Sequence, residues 1–341
     1  MPNRRYEVAR YGDQYLMRTS NAKRIMLLEE LLRSIALQGY SFTTVTPRTH
    51  ERFLLGFDGL AKNARDVFGW NLPFNAAVLP PLIFTLMTEA DLLFNGGDCF
   101  RSKIRISSLG EDLFLHSYFP TNDADAVFFG PDTYRFARFV QHSLRLFQSR
   151  SSFAHRSIPV RVLDVGCGSG AGGIAAIRAL PTHQLYELNL NDLNSTALDY
   201  ARICANVAGI PINALPGDFF NIRGLEFDLI VSNPPYLSDP AGRLYRDGGS
   251  HLGLALSLRI AKHALGLLAP GGHFLLYTGM AITSDDNNPL LSELLPSLAS
   301  DKFQWSYEEI DPDIFGEELE QPYYKKANRI AAVGLTVTRI K

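Results

Sequence analysis

The residues best equipped for chemistry stand in one tetrapeptide, Asn233-Pro234-Pro235-Tyr236, directly after the apolar run Phe227-Asp228-Leu229-Ile230-Val231-Ser232. The Asn233 side-chain carbonyl and the backbone carbonyl of Pro234 are two acceptors, the number needed to hold both N–H bonds of a planar amino group. Tyr236 adds a flat wall, so its ring is expected to matter more than its hydroxyl. Consecutive prolines fix φ and lack N–H donors, which stiffens the loop and leaves its carbonyls to face a ligand. Such a corner suits substitution at a nitrogen whose lone pair is delocalised. Gripping both N–H bonds orients the nitrogen and stabilises the positive charge that develops on it. Asn233, Pro234 and Tyr236 are therefore the candidate catalytic residues, and Pro235 and Tyr236 line the substrate side. No strong base is needed before attack, and His116, His251, His263 and His273 have no partner visible in the sequence. A diproline alone is weak, since Pro80-Pro81 recurs within Val78-Leu79-Pro80-Pro81-Leu82-Ile83, where it reads as a helix start.

A strand-then-turn unit lies upstream, Arg161-Val162-Leu163-Asp164-Val165-Gly166-Cys167-Gly168-Ser169-Gly170. Gly166, Gly168 and Gly170 permit a tight turn and a close ligand approach without Cβ atoms in the way. The segment also fits a dinucleotide pattern, with Gly166, Gly168 and Ala171 in the small positions, so a nicotinamide or flavin enzyme is a rival reading. Two further acids, Asp192 and Asp218, follow at later strand ends. Each taken alone is as readily a helix cap or turn residue.

The glycine turn together with the Asn-Pro-Pro-Tyr corner resembles the class I S-adenosylmethionine-dependent methyltransferases, in the small-domain group that includes release-factor glutamine N-methyltransferases and rRNA N-methyltransferases. The resemblance covers residues 116–280 well, the C-terminal part more loosely, and the residues before 100 hardly at all. It implies S-adenosyl-L-methionine as cofactor, held by Asp164, Gly166, Gly168, Gly170, Asp192, Asp218, Phe219, Asn233 and Thr133. In that family an acid at the position of Asp164 contacts the methionine end, where dinucleotide folds usually carry an apolar residue. Asp192 would take the ribose hydroxyls, although Asn189 and Asn191 flank it and leave the ribose ligand open. Asp218 would take the adenine amino group, with Phe219 against the ring. Thr133 belongs to Phe129-Gly130-Pro131-Asp132-Thr133, a reduced form of the family's Pro-Arg-Pro-Glu-Thr-Glu loop over the cofactor. Arg243-Leu244-Tyr245-Arg246-Asp247-Gly248-Gly249 resembles a Gly-Gly loop near the substrate mouth. It is either a mobile lid whose Arg246 meets a carboxylate or phosphate, or a surface turn with an Arg–Asp pair. A cytosine-C5 enzyme would need a cysteine where Asn233-Pro234 stands.

Composition agrees with an ordinary enzyme of the cytoplasm. The chain has 341 residues and a formal charge of −2, so nothing global suggests a phosphate-rich partner. Cys99, Cys167 and Cys204 are scattered, which argues against a disulfide framework or a metal site. The stretch from Met1 to Arg10 is polar and basic rather than a signal peptide. Val78–Met87 is the longest apolar stretch, and it is too short to span a membrane.

Two parts position these residues. Residues 1–115 are expected to form an α+β domain for substrate recognition or interaction. Its first helix runs over 24–38, with Ser20 or Asn21 as cap and Gly39 as stop. Shorter helices follow near 47–56 and 78–94. A hairpin of strands 101–106 and 113–115 then turns at Leu109-Gly110-Glu111-Asp112, and this order is that of a winged helix. Residues 116–341 are expected to form the methyltransferase domain, a doubly wound, mostly parallel, seven-stranded Rossmann-like sheet. Its helix spans 132–148, and its strands lie near 160–165, 184–190, 212–215, 227–232, 272–278, 303–309 and 329–339, the last two as an antiparallel edge hairpin.

The acceptor is the open question. A protein glutamine side chain, a base in RNA and a small planar metabolite all carry a suitable nitrogen, and the fold could also serve as a non-catalytic cofactor-binding module, which would not require the acceptor corner. Arg4, Arg5, Arg10, Arg18, Lys23 and Arg24 would favour RNA. Residues 1–115, however, hold 14 Lys plus Arg against 12 Asp plus Glu, a faint footprint for a polynucleotide.

Overall fold

The computed structural model describes the backbone of residues 5–149, 158–284 and 287–340, and the side chains within those spans from residue 21 onward, save 148 and 149. Arg4 and the side chains of Arg5, Arg10 and Arg18 lie outside the described residues. The chain divides into two compact units, one comprising the residues up to Phe119 with Asn206–Gly209, the other Pro120–Ala205 with the residues from Ile210 on.

The first unit contains helices α1 (Arg5–Ala36), α2 (Pro47–Leu55), α3 (Ala64–Phe68) and α4 (Pro81–Glu89), then strands β1 (Leu93–Asn95), β2 (Phe100–Ser102), β3 (Ile104–Leu109) and β4 (Asp112–Ser117). Helix α1 begins well before the expected cap and passes through Ser20 and Asn21. It ends at Ala36, two residues short of the expected 38, and the turn that follows closes at Gly39, whose φ of 68° suits glycine and whose N–H bonds the Ala36 carbonyl at 3.0 Å. Pro47 and Pro81 open α2 and α4, where a missing N–H is harmless. The expected strand over 101–106 breaks at Lys103, whose N–H bonds the Leu92 carbonyl at 2.8 Å. The result is two two-stranded sheets, β1–β2 and β3–β4, with the second turning at Gly110.

The second unit opens with α5 (Pro131–Ser149) and continues as β5 (Val160–Val165), α6 (Ala171–Ala179), β6 (Tyr186–Asp192), α7 (Ser195–Val207), β7 (Ile212–Pro216), β8 (Phe227–Ser232), α8 (Ala255–Leu265), β9 (Leu268–Thr283), α9 (Pro289–Leu298), β10 (Phe303–Asp311) and β11 (Ala327–Arg339). The seven strands form one sheet in the order β10-β11-β9-β8-β5-β6-β7, parallel except where β11 pairs with β9 and β10. All six residues of β8 are buried, as an unbroken apolar run in a covered parallel strand should be. Leu163, Ile230, Phe274 and Leu276 of the sheet pack with Leu258 and Ala261 of α8 and Leu290 and Leu294 of α9. From β5 the order runs outward through β6 and β7 on one side and through β8 and β9 on the other. Loops leaving the carboxyl ends of β5 and β8 therefore part company, and they leave a crevice at the switch point. Both motifs singled out in the sequence are these two loops. Strand β6 extends two residues past its expected end and makes Asp192 its last residue.

Candidate functional site

The turn after β5 is built from backbone. The N–H groups of Gly166 and Cys167 both donate to the Asn191 carbonyl of β6 (2.9 and 3.0 Å). Gly166, Gly168 and Gly170 sit at φ of 66°, 54° and 86°, in the left-handed region that side chains resist. A Cβ added at Gly166, Gly168 or Gly217 would meet nothing within 4 Å, so these backbones border open space. Asp164 is 1 % exposed, and its Oδ2 accepts the N–H of Gly173 in the first turn of α6 at 2.7 Å. Burial pushes its carboxyl up to about 7, against the pull of that N–H and with help from the charge of Asp192. Asp192 accepts from the N–H of Gly168 through Oδ2 and from that of Asn194 through Oδ1, both at 2.9 Å, and burial raises it too. The Cys167 thiol between them is pushed well up by burial and by both carboxylates. Two buried acids around an open backbone turn favour a ligand that carries positive charge and hydroxyl donors.

Asn189 and Asn191, the rivals of Asp192, already have other work. The Asn191 amide donates to the carbonyls of Leu215 (2.8 Å) and Gly217 (2.9 Å), and that of Asn189 to Val162 (3.2 Å). Asp218 is exposed and accepts from the N–H of Phe220 at 2.9 Å, capping the short 3-10 turn Phe219–Asn221. Phe219 packs into the core with its ring edge-on to His263 (4.8 Å), while Phe220 is half-buried under the Arg259 guanidinium at 4.2 Å.

The corner after β8 is built from side chains. Ser232 ties the end of β8 to that of β5 by donating to the Val165 carbonyl at 2.9 Å. The Oδ1 of Asn233 is buried and has no hydrogen-bond partner among the described residues. Leaving a buried acceptor unmet costs about 1–3 kcal/mol, so an orphan of this kind points to a missing donor. Pro234 is buried and Pro235 half-buried. Tyr236 is 8 % exposed and packs near Tyr277 and Phe315 (ring centroids 6.5 and 6.2 Å). Its ring lies so close to β9 that a Cβ at Gly279 would approach it to 2.3 Å. Gly248 and Gly253 press on its backbone, where added Cβ atoms would come within 2.7 Å of the Tyr236 Cα and 2.2 Å of its carbonyl oxygen.

Residues 151–286 match the family model described as methyltransferase small domain. Among curated proteins the chain is 32 % identical over 178 residues to a release factor glutamine methyltransferase of Bordetella pertussis, an alignment covering 48 % of this chain and 59 % of that protein. It is 32 % identical over 110 residues to ribosomal RNA small subunit methyltransferase C of Serratia proteamaculans, covering 30 % and 31 %. The chain spans about half the length of the release-factor enzymes it matches. A SAM-dependent methyltransferase from Agrobacterium tumefaciens superposes with a TM-score of 0.45 at 16 % identity, over 73 % of this chain and 76 % of that one.

Several supports of the site carry no signal in the sequence. Gly172 and Gly173 bring α6 against the sheet. A Cβ there would stand 2.4 Å from Phe136 and 2.7 Å from Leu190. In the turn before α5 the working residue is Asp132 rather than Thr133, whose hydroxyl closes the turn on the N–H of Gly130 at 3.3 Å. Asp132 is 4 % exposed and accepts the hydroxyl of Tyr277 at 2.6 Å, with the Tyr236 phenol also acting on it. Burial raises its carboxyl, while the two phenols and Arg135 (3.4 Å) pull it down. Arg246 pairs with Glu318, and the loop around it is pinned by Leu237 N–H to the Arg246 carbonyl (3.2 Å) and Gly248 N–H to the Leu237 carbonyl (2.8 Å). A strap over residues 121–128 is held by Tyr245 Oη to the Thr121 carbonyl (2.6 Å), Leu244 N–H to the Ala124 carbonyl (3.2 Å) and Asn194 Nδ2 to the Asp125 carbonyl (2.5 Å).

The histidines have structural partners. His116 bonds Ser107 at 2.8 Å, His273 bonds Thr338 at 2.9 Å, and His263 meets Arg223 at 2.9 Å. His251 is an exposed turn residue at φ 59°. Among the described residues no three His, Cys, Asp or Glu side chains gather as a metal site would require, and no helix is long and apolar enough to cross a membrane.

Proposed function

We propose that this protein is an S-adenosylmethionine-dependent N-methyltransferase of the cytoplasm that acts on a planar nitrogen, either the side-chain amide of a protein glutamine or the exocyclic amine of an RNA base. The observation that carries the reading is the buried, unpartnered Oδ1 of Asn233 at the switch point. The open left-handed glycines and the buried Asp164 and Asp192 fit the cofactor. The names of the similar glutamine and rRNA methyltransferases support the choice of nitrogen.

S-adenosylmethionine supplies an electrophilic methyl group on a sulfonium. The chain contributes placement. Asp164 at the end of β5, bonded to the first turn of α6, would meet the ammonium of the methionine end, and Asp192 would meet the ribose while its two backbone bonds keep it aimed. Asp218, with its exposed carboxylate, takes the adenine amino group. Asn233 Oδ1 and the Pro234 carbonyl accept the two N–H bonds of the incoming nitrogen, which orients its lone pair and stabilises the charge that grows on it. The proton leaves afterwards to water, so no histidine is required.

Residues 1–115 carry the substrate address in this reading. Labelled S-adenosylmethionine incubated with separated protein, RNA and small-molecule pools of a lysate tests it: label is expected in the protein or the RNA pool. Label in none of the pools overturns the function. A fragment from residue 116 is expected to bind cofactor and to lose methylation of the labelled pool. Undiminished labelling by the fragment would place recognition in the catalytic unit.

A further inference from the structure

We propose that residues 121–128 form a gate across the cofactor crevice, and that the exposed stretch 122–125 must let go of the two loops beside it before S-adenosylmethionine enters or S-adenosylhomocysteine leaves. The inference rests on the crevice being the S-adenosylmethionine site.

In the sheet β5 lies between β8 and β6, so the loops leaving those two strands start about 10 Å apart, on either side of the glycine turn. The strap brings them together. Asn194, just past the end of β6, donates through Nδ2 to the Asp125 carbonyl at 2.5 Å, and Leu244, in the loop that follows the corner, donates its N–H to the Ala124 carbonyl at 3.2 Å. These carbonyls are consecutive, a single peptide apart, so the two loops converge on the strap over the carboxyl end of β5. Tyr245 adds its hydroxyl to the Thr121 carbonyl at 2.6 Å and lays its ring nearly parallel to that of Phe128 (centroids 5.6 Å, 13°). Asn194 also belongs to the site, since its backbone N–H is one of those that hold Asp192.

The part that moves is set by how each side is fastened. The loop after the corner is a fixed post, because Arg243 grips Asp239 through Nε (2.7 Å) and Nη2 (2.9 Å) and the N–H of Leu237 bonds the Arg246 carbonyl at 3.2 Å. Asn194 is fixed as well, accepting the N–H of Thr196 at 3.0 Å in the first turn of α7. Residues 122–125 are exposed, whereas Ala126 and Val127 are buried. Lifting 122–125 therefore breaks hydrogen bonds at the surface and leaves the apolar core covered, and local opening of this low cost is what a gate requires.

Association and dissociation of S-adenosylhomocysteine, measured on the full chain by surface plasmon resonance, test the gate without any methyl acceptor. Tyr245→Phe removes one bond to the strap and keeps the ring. Both rate constants should rise about fivefold, the factor that one net hydrogen bond carries, while the dissociation constant stays within about twofold because the lost bond joins two parts of the protein. Asn194→Ser retains a capping oxygen and the backbone N–H on Asp192 but gives up the strap, and the same rise is expected. Tyr324→Phe is the control. Its hydroxyl bonds Ser238 (3.0 Å) and Leu252 (3.3 Å) in the loop after the corner, so both rates should stay as in wild type. Ala124→Cys combined with Leu244→Cys sets two thiols on backbones already joined by a hydrogen bond. Oxidising that pair should slow both rates by more than about tenfold, and a reductant should restore them.

A rise in the dissociation rate alone would mean that the strap grips the ligand, and unchanged rates would mean that it stands clear of the path. Either result overturns the gate. So would an equal rise in Tyr324→Phe, since loosening of the loop would then explain both. If Asn194→Ser does not fold or the bridge does not form, the comparison of the two tyrosine variants decides alone. Wild type that binds neither S-adenosylmethionine nor S-adenosylhomocysteine defeats the methyltransferase reading itself, whereas binding at rates indifferent to the strap defeats only the gate.

Discussion

The turn after β5 and the corner after β8 sit side by side at one switch point, yet they are made in opposite ways. The first is a backbone device, in which Gly166 and Gly168 face open space and the two acids bind main-chain N–H groups. The second is a side-chain device, in which Tyr236 is hemmed by Gly248, Gly253 and Gly279. The difference follows from the task. Under the proposed function, a cofactor shared by many enzymes would be gripped by groups every chain possesses, while the placement of one reacting nitrogen would demand a braced support. Changes in the turn should therefore disturb binding more than stability, and changes around the corner should do the reverse, apart from Asn233 itself.

The largest effect expected concerns Asp164. Its carboxyl is raised to about 7 in the folded chain against 3.8 as the reference, so ionising it disfavours the native state. Its contribution to stability therefore falls as pH rises from about 4 to about 7, by at most about 4 kcal/mol. Denaturant titrations at both ends of that range should show the fall in the wild-type protein and a much shallower one in Asp164→Asn. Parallel curves would mean that the carboxyl is not strained by its burial.

Asn233→Ala comes next. Turnover on the accepted substrate should drop by about 10²–10³ with cofactor affinity little changed. Because an unmet buried acceptor is removed, stability should hold or rise slightly. Full turnover by this variant would reduce Asn233 to a turn residue.

A pair of glycines then sets the two regions against each other. Gly253→Ala forces a Cβ to 2.2 Å from the Tyr236 carbonyl oxygen at φ 93° and should destabilise by about 3 kcal/mol. Gly166→Ala meets no atom, so backbone strain of about 1 kcal/mol is its whole effect on folding, and the loss should appear in cofactor binding instead. Equal destabilisation by the two would erase the distinction drawn above. Asp192→Ala should weaken cofactor binding by about 1–3 kcal/mol, measurable by calorimetry.

The backbone device was the more legible in the sequence. Left-handed turns demand glycine, so Gly166, Gly168 and Gly170 announce their conformation wherever they pack, and the sheet order follows from alternating strands and helices. The position of Asn233-Pro234-Pro235-Tyr236 was equally plain. What braces it was not. Gly279 is required by Tyr236, distant in the chain, just as Gly172 and Gly173 are required by Phe136 and Leu190 where α6 packs, and no local pattern names such partners. Asp132 looks like an ordinary acid in a first helical turn, and only the arrival of two phenols from β9 and from the corner gives it a role. The sequence predicts Tyr236 as a flat stacking wall, but its ring is nearly enclosed and pressed against Gly279 of β9. In the first unit Lys103 carried no breaking signal, because the carbonyl of Leu92 that diverts it belongs to the preceding strand pair.

Cys167 draws one last property from the acids beside it. A thiol becomes reactive as thiolate, and burial together with the charges of Asp164 and Asp192 keeps this one protonated. The turn after β5 thus contains a sulfur held in its less reactive, protonated form. Peroxide or an alkylating reagent applied to the native protein should reach the partly exposed Cys99 first and leave the turn after β5 unmodified.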